Sequence, residues 1–178
     1  ILMRIVDIFM TLPFIFAALI MAAVLTPLMG RSPFPSILAL ITFGWMGYAR
    51  IIRGDVLAVK QRDFVMAARA IGVKDGQILF RYILPNAVFP TLAYATLNIG
   101  EVVLSFAALS FLGIGTQVGT ADWGQLLSFG RNWIMSLAQY WHIVVWPALA
   151  LVLFVLAWNL IGDALRDLFD PHTKDHHD

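Results

Sequence analysis

Few side chains in this sequence are of types and spacings that support chemistry. Glu101 is the only glutamate among 178 residues, and cysteine is absent, which excludes disulfides, thiolate catalysis and cysteine-based metal sites. No phosphate-binding loop of the G-x-x-x-x-G-K-[ST] type occurs, and no Ser/His/Asp or multi-histidine combination lies in the apolar segments, where His142 stands alone. The sequence therefore predicts no catalytic residues, no metal site, no enzymatic activity and no ATP hydrolysis by this chain itself.

The composition indicates whether the chain lies in water or in a lipid bilayer. Apolar residues make up 60% of the chain and charged residues 13%, with a mean hydropathy of +0.81, whereas a soluble domain is about half apolar and a quarter charged. A membrane-spanning helix needs about 20 predominantly apolar residues. Several stretches without Asp, Glu, Lys or Arg reach or approach that length: 8–30, 32–49, 82–100, 102–121 and 132–162. The chain is therefore predicted to be an integral membrane protein.

We predict an all-α, polytopic membrane helical bundle with four spanning helices, over about 5–26, 35–60, 86–112 and 142–165. Pro13 would kink the first of them. Residues 27–34 hold two prolines and a glycine and predict a short turn. The segment 113–141 is rich in glycine and tryptophan, which favours the membrane boundary, with short helices expected around 123–130 and 132–139. Residues 172–178 form a polar tail that we expect to be solvated and disordered.

The basic residues predict the orientation. The second helix is expected to leave the bilayer after Arg50, and seven of the twelve basic residues lie in the loop from there to residue 81: Arg50, Arg53, Lys60, Arg62, Arg69, Lys74 and Arg81. By the positive-inside rule the 50–85 loop is cytoplasmic, and alternation of the spans puts the C-terminus on the same side.

Three polar residues of the third span are candidates for a translocation path: Asn98, Glu101 and Ser105. A charged carboxylate in the bilayer centre costs about 2.5–3.5 kcal/mol on insertion scales, so Glu101 is expected to face a water-filled cavity or the interior of a bundle. It could meet a solute amine or metal, or be a structural carboxyl bonded to a neighbouring helix. Asn98, Ser105 and the nearby Ser110 could equally serve helix packing.

The loop after the second span predicts two short helices that meet at a glycine. Asp63 is placed to cap the first helix, and Gly72 suits the left-handed conformation that ends it. An apolar stripe recurs at helical spacing at Phe64, Ala68 and Ile71. A second amphipathic turn would carry Ile78, Leu79 and Tyr82. Pro85 is expected to end that turn.

These loop residues resemble the "EAA" loop of ABC-importer permeases. Ala67 and Ala68, Gly72, and the pair Leu84 and Pro85 match the motif, while Met66 stands at its glutamate position and Tyr82 at its later isoleucine position. The resemblance implies a coupling helix that docks into a cleft on a cytoplasmic ATPase subunit and converts ATP-driven closure into rocking of the membrane helices. We call residues 63–85 the coupling loop. Its implied contact residues are Asp63, Phe64, Met66, Ala67, Ala68, Arg69, Ile71, Gly72, Leu84 and Pro85.

Further motifs narrow the resemblance to permeases of the dipeptide, oligopeptide and nickel type. They are 47–50 (GYAR), 109–115 (LSFLGIG), 122–124 (DWG) with 130–131, and 158–167 (WNLIGDALRD) with Asp170 and Pro171. The family permease has six membrane helices, so residues 1–171 would be its C-terminal part, without the first two helices.

The resemblance implies a prokaryotic inner-membrane importer with several subunits. Its partners would be a second related permease, two cytoplasmic ATPases that hydrolyse the ATP, an extracytoplasmic substrate-binding protein and the lipid bilayer, with no nucleic acid and no cofactor bound by this chain. The solute would be a peptide or a related small molecule, nickel chelates included.

Two other classes compete with this interpretation. One is a passive channel or an ion-coupled secondary transporter that uses Glu101, and the other is a membrane scaffold without transport. Neither needs a two-helix docking element, so the coupling-loop motif favours the importer.

Overall fold

The computed structural model describes residues 2–114 and 116–169, with side chains except those at 134–138 and 167–169. Within these ranges the regular elements are all helical, which confirms the predicted all-α class. Eight α-helices follow in order: α1 (Leu2–Phe9), α2 (Phe14–Met29), α3 (Pro33–Val59), α4 (Asp63–Ala70), α5 (Asp75–Ile78), α6 (Leu84–Phe111), α7 (Trp123–Gly130) and α8 (Leu137–Phe169). A π-helical turn covers Leu79–Ile83, and a 3-10 turn covers Arg131–Ser136. The predicted tail 172–178, with Asp170 and Pro171, lies outside the described residues.

Three helical stretches in the described ranges are long and apolar enough to cross a membrane: Pro33–Val59, Asp75–Phe111 and Gln139–Arg166. They correspond to the predicted second, third and fourth spans. A fourth crossing exists if α1 and α2 are counted as one span, although the two helices are bent by 87° to each other. The polytopic helical bundle is therefore confirmed.

The prediction of a single kinked helix over 5–26 is wrong. Helix α1 ends at Phe9, and α2 begins only at Phe14. Pro13 has extended backbone (ψ 129°), since proline offers no N–H to the preceding turn and disfavours helical backbone in the residue before it. The hydroxyl of Thr11 donates to the carbonyl of Ile8 at 2.7 Å and satisfies an acceptor at the break.

The segment before α8 also differs from its prediction. The expected helix over 132–139 is a 3-10 turn that ends at Ser136, and the following residues already belong to α8. Tyr140 interrupts α8 with non-helical backbone (φ −117°, ψ 22°). The spanning part of α8 starts close to this break.

The chain divides into two compact units. The first holds the chain up to Trp45 together with Asn98–Asn159, and the second holds Met46–Leu97 with the stretch that begins at Leu160. In the first unit, small side chains at Ala18, Ala22 and Ala39 form a buried cluster with Leu40 and Leu109. Small residues let membrane helices approach closely, so the packing of α2, α3 and α6 in this unit depends on alanines.

A buried hydrogen-bond chain fastens α7 to the end of α6 in the same unit. The amide of Gln125 donates to the hydroxyl of Thr116 (2.6 Å), and the Ser110 hydroxyl donates to Oδ2 of Asp122 (2.7 Å). The Ser110 and Thr116 hydroxyls are 2.8 Å apart, so Thr116 is the donor between them. The backbone N–H of Gln125 donates to Oδ1 of Asp122 (2.8 Å), which closes the ring. Buried polar groups need such partners, and we call these four residues the α6–α7 clasp.

Close contact of backbones accompanies the clasp. A Cβ atom at Gly124 would overlap the carbonyl group of Ala107, so only glycine fits there. The Trp123 ring lies 5.6 Å from the Phe154 ring, and the Arg131 guanidinium lies 5.6 Å from the centre of the Phe111 ring. Helix α7 is therefore held tightly against α6 and α8.

Replacing Gly124 with alanine is expected to destabilise the protein by about 1–3 kcal/mol, because the added methyl group has no space beside the Ala107 carbonyl. The measurement is the thermal unfolding midpoint of the detergent-solubilised protein. Gly44→Ala is the matched control, since a Cβ there meets nothing within 4 Å inside a helix, and it should raise stability by up to about 1 kcal/mol. Equal midpoints for the two variants would contradict the close packing of α7.

Candidate functional site

Helix α4 of the coupling loop begins without a side-chain cap. Arg62 is the N-cap residue with extended backbone (φ −74°, ψ 148°), and it makes no capping hydrogen bond. Asp63 is already the first helical residue, so the prediction that Asp63 caps the helix is wrong. A capping side chain must come from the extended residue before the helix, and arginine offers no acceptor. The Asp63 carboxylate still lies in the first turn, where the helix dipole favours negative charge.

The end of α4 is built as predicted. Gly72 has φ +81°, the left-handed conformation that favours glycine. Its N–H donates to the carbonyl of Arg69 (3.1 Å), and the N–H of Val73 donates to the carbonyl of Ala68 (3.1 Å). This pair of bonds is the Schellman motif, which satisfies the last carbonyl groups of a helix and reverses the chain.

One face of the coupling loop is packed into the second unit. Val65, Ala68 and Ile78 are buried, and they share a cluster with Ile83 of the π turn and with residues at the ends of the two neighbouring long helices, Val59 and Ala87. Burial of a large aliphatic side chain contributes about 1.5–3 kcal/mol. The loop is therefore fixed to α3 and α6 by apolar packing.

The predicted stripe is only partly on this buried face. Ala68 is buried, but Phe64 and Ile71 are exposed, and Val65 takes the inward position instead. The outer face of the loop thus carries large apolar side chains that are exposed to different degrees: Phe64, Met66, Ile71, Leu79 and Phe80. The exposed fractions reach 81% at Ile71 and 70% at Phe80. Exposed apolar patches of this kind mark interaction surfaces.

The predicted chain break at Pro85 does not occur. The π-helical turn Leu79–Ile83 leads without interruption from α5 into α6, in which Pro85 is the second residue. Proline is tolerated in the first turn of a helix, and the wider turn before it accommodates the missing N–H. Leu84 and Pro85 therefore join the coupling loop rigidly to the spanning helix.

Charge contributes little to the internal structure of the loop. Arg69 and Asp75 approach to 4.0 Å, with both side chains largely exposed. Exposed ion pairs are worth about 0–1 kcal/mol. Arg69 and Ala67 both lie on the exposed side of α4, so the basic charge there is open to a partner.

Two of the three predicted path residues come together. The Asn98 side-chain amide donates to Oε2 of Glu101 at 3.0 Å, one helical turn along α6. Glu101 is exposed, whereas Asn98 and Ser105 are half-buried. Ser110 belongs to the α6–α7 clasp, so its role is packing.

A cleft of about 410 Å³ lies beside the clasp, and none of these path residues lines it. Its walls are mainly apolar: Val103, Phe106, Ala107, Ala121, Asp122, Trp123 and Leu126. The clasp partners Thr116 and Gln125 are not among the residues predicted from the sequence. The spacing D-x-x-Q at Asp122 and Gln125 is typical of a helix start, so the hydrogen bond between these two residues could have been predicted from the sequence.

Comparisons with known proteins extend over nearly the whole chain. Residues 1–175 match the family model described as "Binding-protein-dependent transport system inner membrane component". The chain is similar to the "Glutathione transport system permease protein GsiD" of Escherichia coli O1:K1, with 42% identity over 172 residues, 97% of this chain and 54% of that protein. The GsiD of Shigella flexneri serotype 5b (strain 8401) gives the same values.

The chain thus spans about half the length of the curated relatives it matches. These relatives and the family model describe transport permeases, which agrees with the family that the coupling-loop and flanking motifs predict. The chain belongs to the family of inner membrane components of binding-protein-dependent transport systems.

Proposed function

We propose that this chain is the membrane-spanning permease subunit of an ATP-driven importer. Its task is to pass the closure of cytoplasmic ATPase subunits to the membrane helices and so to move peptides or related small solutes, nickel chelates included, across the membrane. The observation that carries the proposal is the two-sided coupling loop. One face is packed on α3 and α6, and the other exposes large apolar side chains.

A force-transmitting element needs both faces. The outer face must offer apolar anchors that fill a pocket on the ATPase, as hot-spot residues do at protein interfaces. Ile71 and Phe80 are suited to that role because they are the most exposed large apolar side chains of the loop. The inner face must be continuous with a spanning helix, and the run from α5 through the π turn into α6 provides this continuity.

The proposed orientation has the 50–85 loop and the C-terminus in the cytoplasm of a prokaryotic cell. Seven of the chain's twelve basic residues lie in that loop, and by the positive-inside rule they support this orientation. The ATPase-docking role requires the same side, so charge and function agree.

The proposed assembly contains a second related permease, two ATPases and an extracytoplasmic substrate-binding protein. The family description supports dependence on a binding protein. The exposed Glu101 on a spanning helix supports a second permease, because a carboxylate is expected to face protein or water instead of lipid. Asn98, Glu101 and Ser105 would then line the path between the two permeases, and residues 113–141 would help to form the outer vestibule.

The proposed cargo follows from the relatives, which are named as glutathione transport permeases. A peptide-type solute agrees with the motifs of the dipeptide, oligopeptide and nickel group. A passive channel or an ion-coupled transporter would leave the exposed apolar face of the coupling loop without a function.

Replacing Ile71 with aspartate is expected to weaken the binding of the ATPase subunits to the full-length permease complex by about ten-fold or more, since loss of an apolar anchor costs upward of 1 kcal/mol. The side chain is 81% exposed, so the fold should remain intact. Affinity for purified ATPase subunits is the measurement. Val118→Asp is the matched control, because Val118 is 74% exposed in the segment assigned to the opposite side. Equal ATPase affinities for the two variants would contradict a docking role for Ile71.

Gly72→Ala tests the bend that orients the outer face. Alanine in the left-handed conformation costs about 1–2 kcal/mol, and relief of that strain should rotate α4 and reduce ATPase affinity several-fold. Gly113→Ala is a closely matched control: Gly113 also has φ +81°, with open space for a Cβ. It also closes its helix with the same two bonds, from Gly113 N–H to Ser110 and from Ile114 N–H to Leu109. If Gly113→Ala reduced ATPase affinity as much as Gly72→Ala, the effect would be general strain and the coupling role would fail.

A further inference from the structure

Glu101 is an acidic side chain without an ion-pair partner in the described part of this chain. It lies between two stretches without Asp, Glu, Lys or Arg, 82–100 and 102–121, and no basic residue occurs between Arg81 and Arg131. Among the described residues it forms no ion pair, and its one hydrogen-bond partner is Asn98. Any cationic partner of Glu101 would therefore come from outside the described chain.

The direction of Glu101 follows from the packing of α6. Gly100 faces α8, since a Cβ there would lie 3.3 Å from Val155. Glu101, the next residue, projects about 100° around the helix axis from this contact and is exposed. An ionised side chain at this depth in lipid costs several kcal/mol, so Glu101 faces water or another molecule.

The hydrogen bond from Asn98 engages only one of the two carboxylate oxygens of Glu101. The amide occupies Oε2 at 3.0 Å and fixes the orientation of the group, while Oε1 has no donor in the described chain. A carboxylate with one oxygen fixed and one open is a pre-oriented acceptor for a single cationic donor.

The charge and geometry favour an organic ammonium group over a metal ion. Ca²⁺ takes six or more oxygen ligands and structural Zn²⁺ takes four protein ligands, but the described residues contain no group of three or more His, Cys, Asp or Glu side chains that could hold a metal. One carboxylate oxygen suits one N–H donor of an ammonium group. A single contact also lets the solute leave again, as translocation requires.

We infer that Glu101, oriented by Asn98, binds the positively charged amino group of the solute during passage and thereby favours solutes with a free amine. This inference rests on the proposed function as an importer of peptides and related solutes. It assigns Glu101 as a specificity-determining residue of the permease, separate from the selection made by the binding protein.

The experiment measures import of tri-alanine by the full-length importer in proteoliposomes, with its binding protein and ATPases, for wild type and Glu101→Gln. The α-amino group of a peptide titrates near pH 8. The uptake ratio of wild type to variant should be about ten at pH 6.5, where the amine is charged, and should approach one near pH 9. Both proteins use the same binding protein and ATPases, so the pH dependence of these subunits cancels in the ratio.

Glu101→Asp keeps the charge and should retain the pH dependence of the wild type. Leu104→Ala, at an exposed position on the same helix, should give a ratio near one at every pH. If the uptake ratio for Glu101→Gln stays large at all pH values, Glu101 pairs with a cationic residue of the partner permease. If the ratio is one throughout, Glu101 has no role in transport. Either result overturns the inference and leaves the importer function standing. Failure of the wild type to import tri-alanine would instead count against the proposed peptide cargo, and the inference would fall with it.

Discussion

The apolar contact between the coupling loop and the ends of two long helices is the interaction on which the proposed mechanism depends. Val65, Ala68 and Ile78 are buried together with Val59 at the end of α3 and Ala87 in the first turns of α6. Because this cluster includes residues of the loop and of both helices, the loop cannot move without taking the helix ends along. Close-packed interiors transmit displacement because they have few voids and low compressibility. A flexible tether at the same place would absorb the motion of an ATPase instead of passing it on.

Helix α7 is held to α6 by hydrogen bonds, whereas apolar packing holds the coupling loop. The α6–α7 clasp consists of polar groups, and the hydroxyls of Ser110 and Thr116 each donate once and accept once. In surroundings of low dielectric constant a fully paired network of this kind is strong, and loss of one member leaves the others unpaired at high cost. Hydrogen bonds have strict geometry, so a shift of α7 against α6 would break the clasp. The clasp therefore suits a segment that keeps a fixed shape, and the apolar cluster suits one that transmits movement.

The sequence predicted those features that depend on local chemistry. Three spanning helices followed from apolar runs, and the bend at Gly72 followed from the freedom of glycine to adopt φ +81°. The errors arose where tertiary structure decides. Pro13 separates two helices by 87°, although proline in a membrane helix often causes only a kink. Pro85 continues a helix because a π turn precedes it. The clasp partner Thr116 lies in an irregular segment, and only the folded chain brings it to Ser110.

The identity of residue 66 bears on how the outer face would recognise its partner. The related motif has glutamate at this position, whereas this chain has Met66, which is 54% exposed. An ion pair made from this position is therefore absent, and recognition by the loop would depend on shape and on apolar burial. Methionine is flexible and polarisable and adapts to irregular pockets, so Met66 beside Ile71 enlarges the apolar surface without imposing one geometry. Salt screens exposed ion pairs but leaves apolar burial largely intact, so changes in ionic strength would disturb the apolar part of the proposed docking little and would screen a contribution from Arg69.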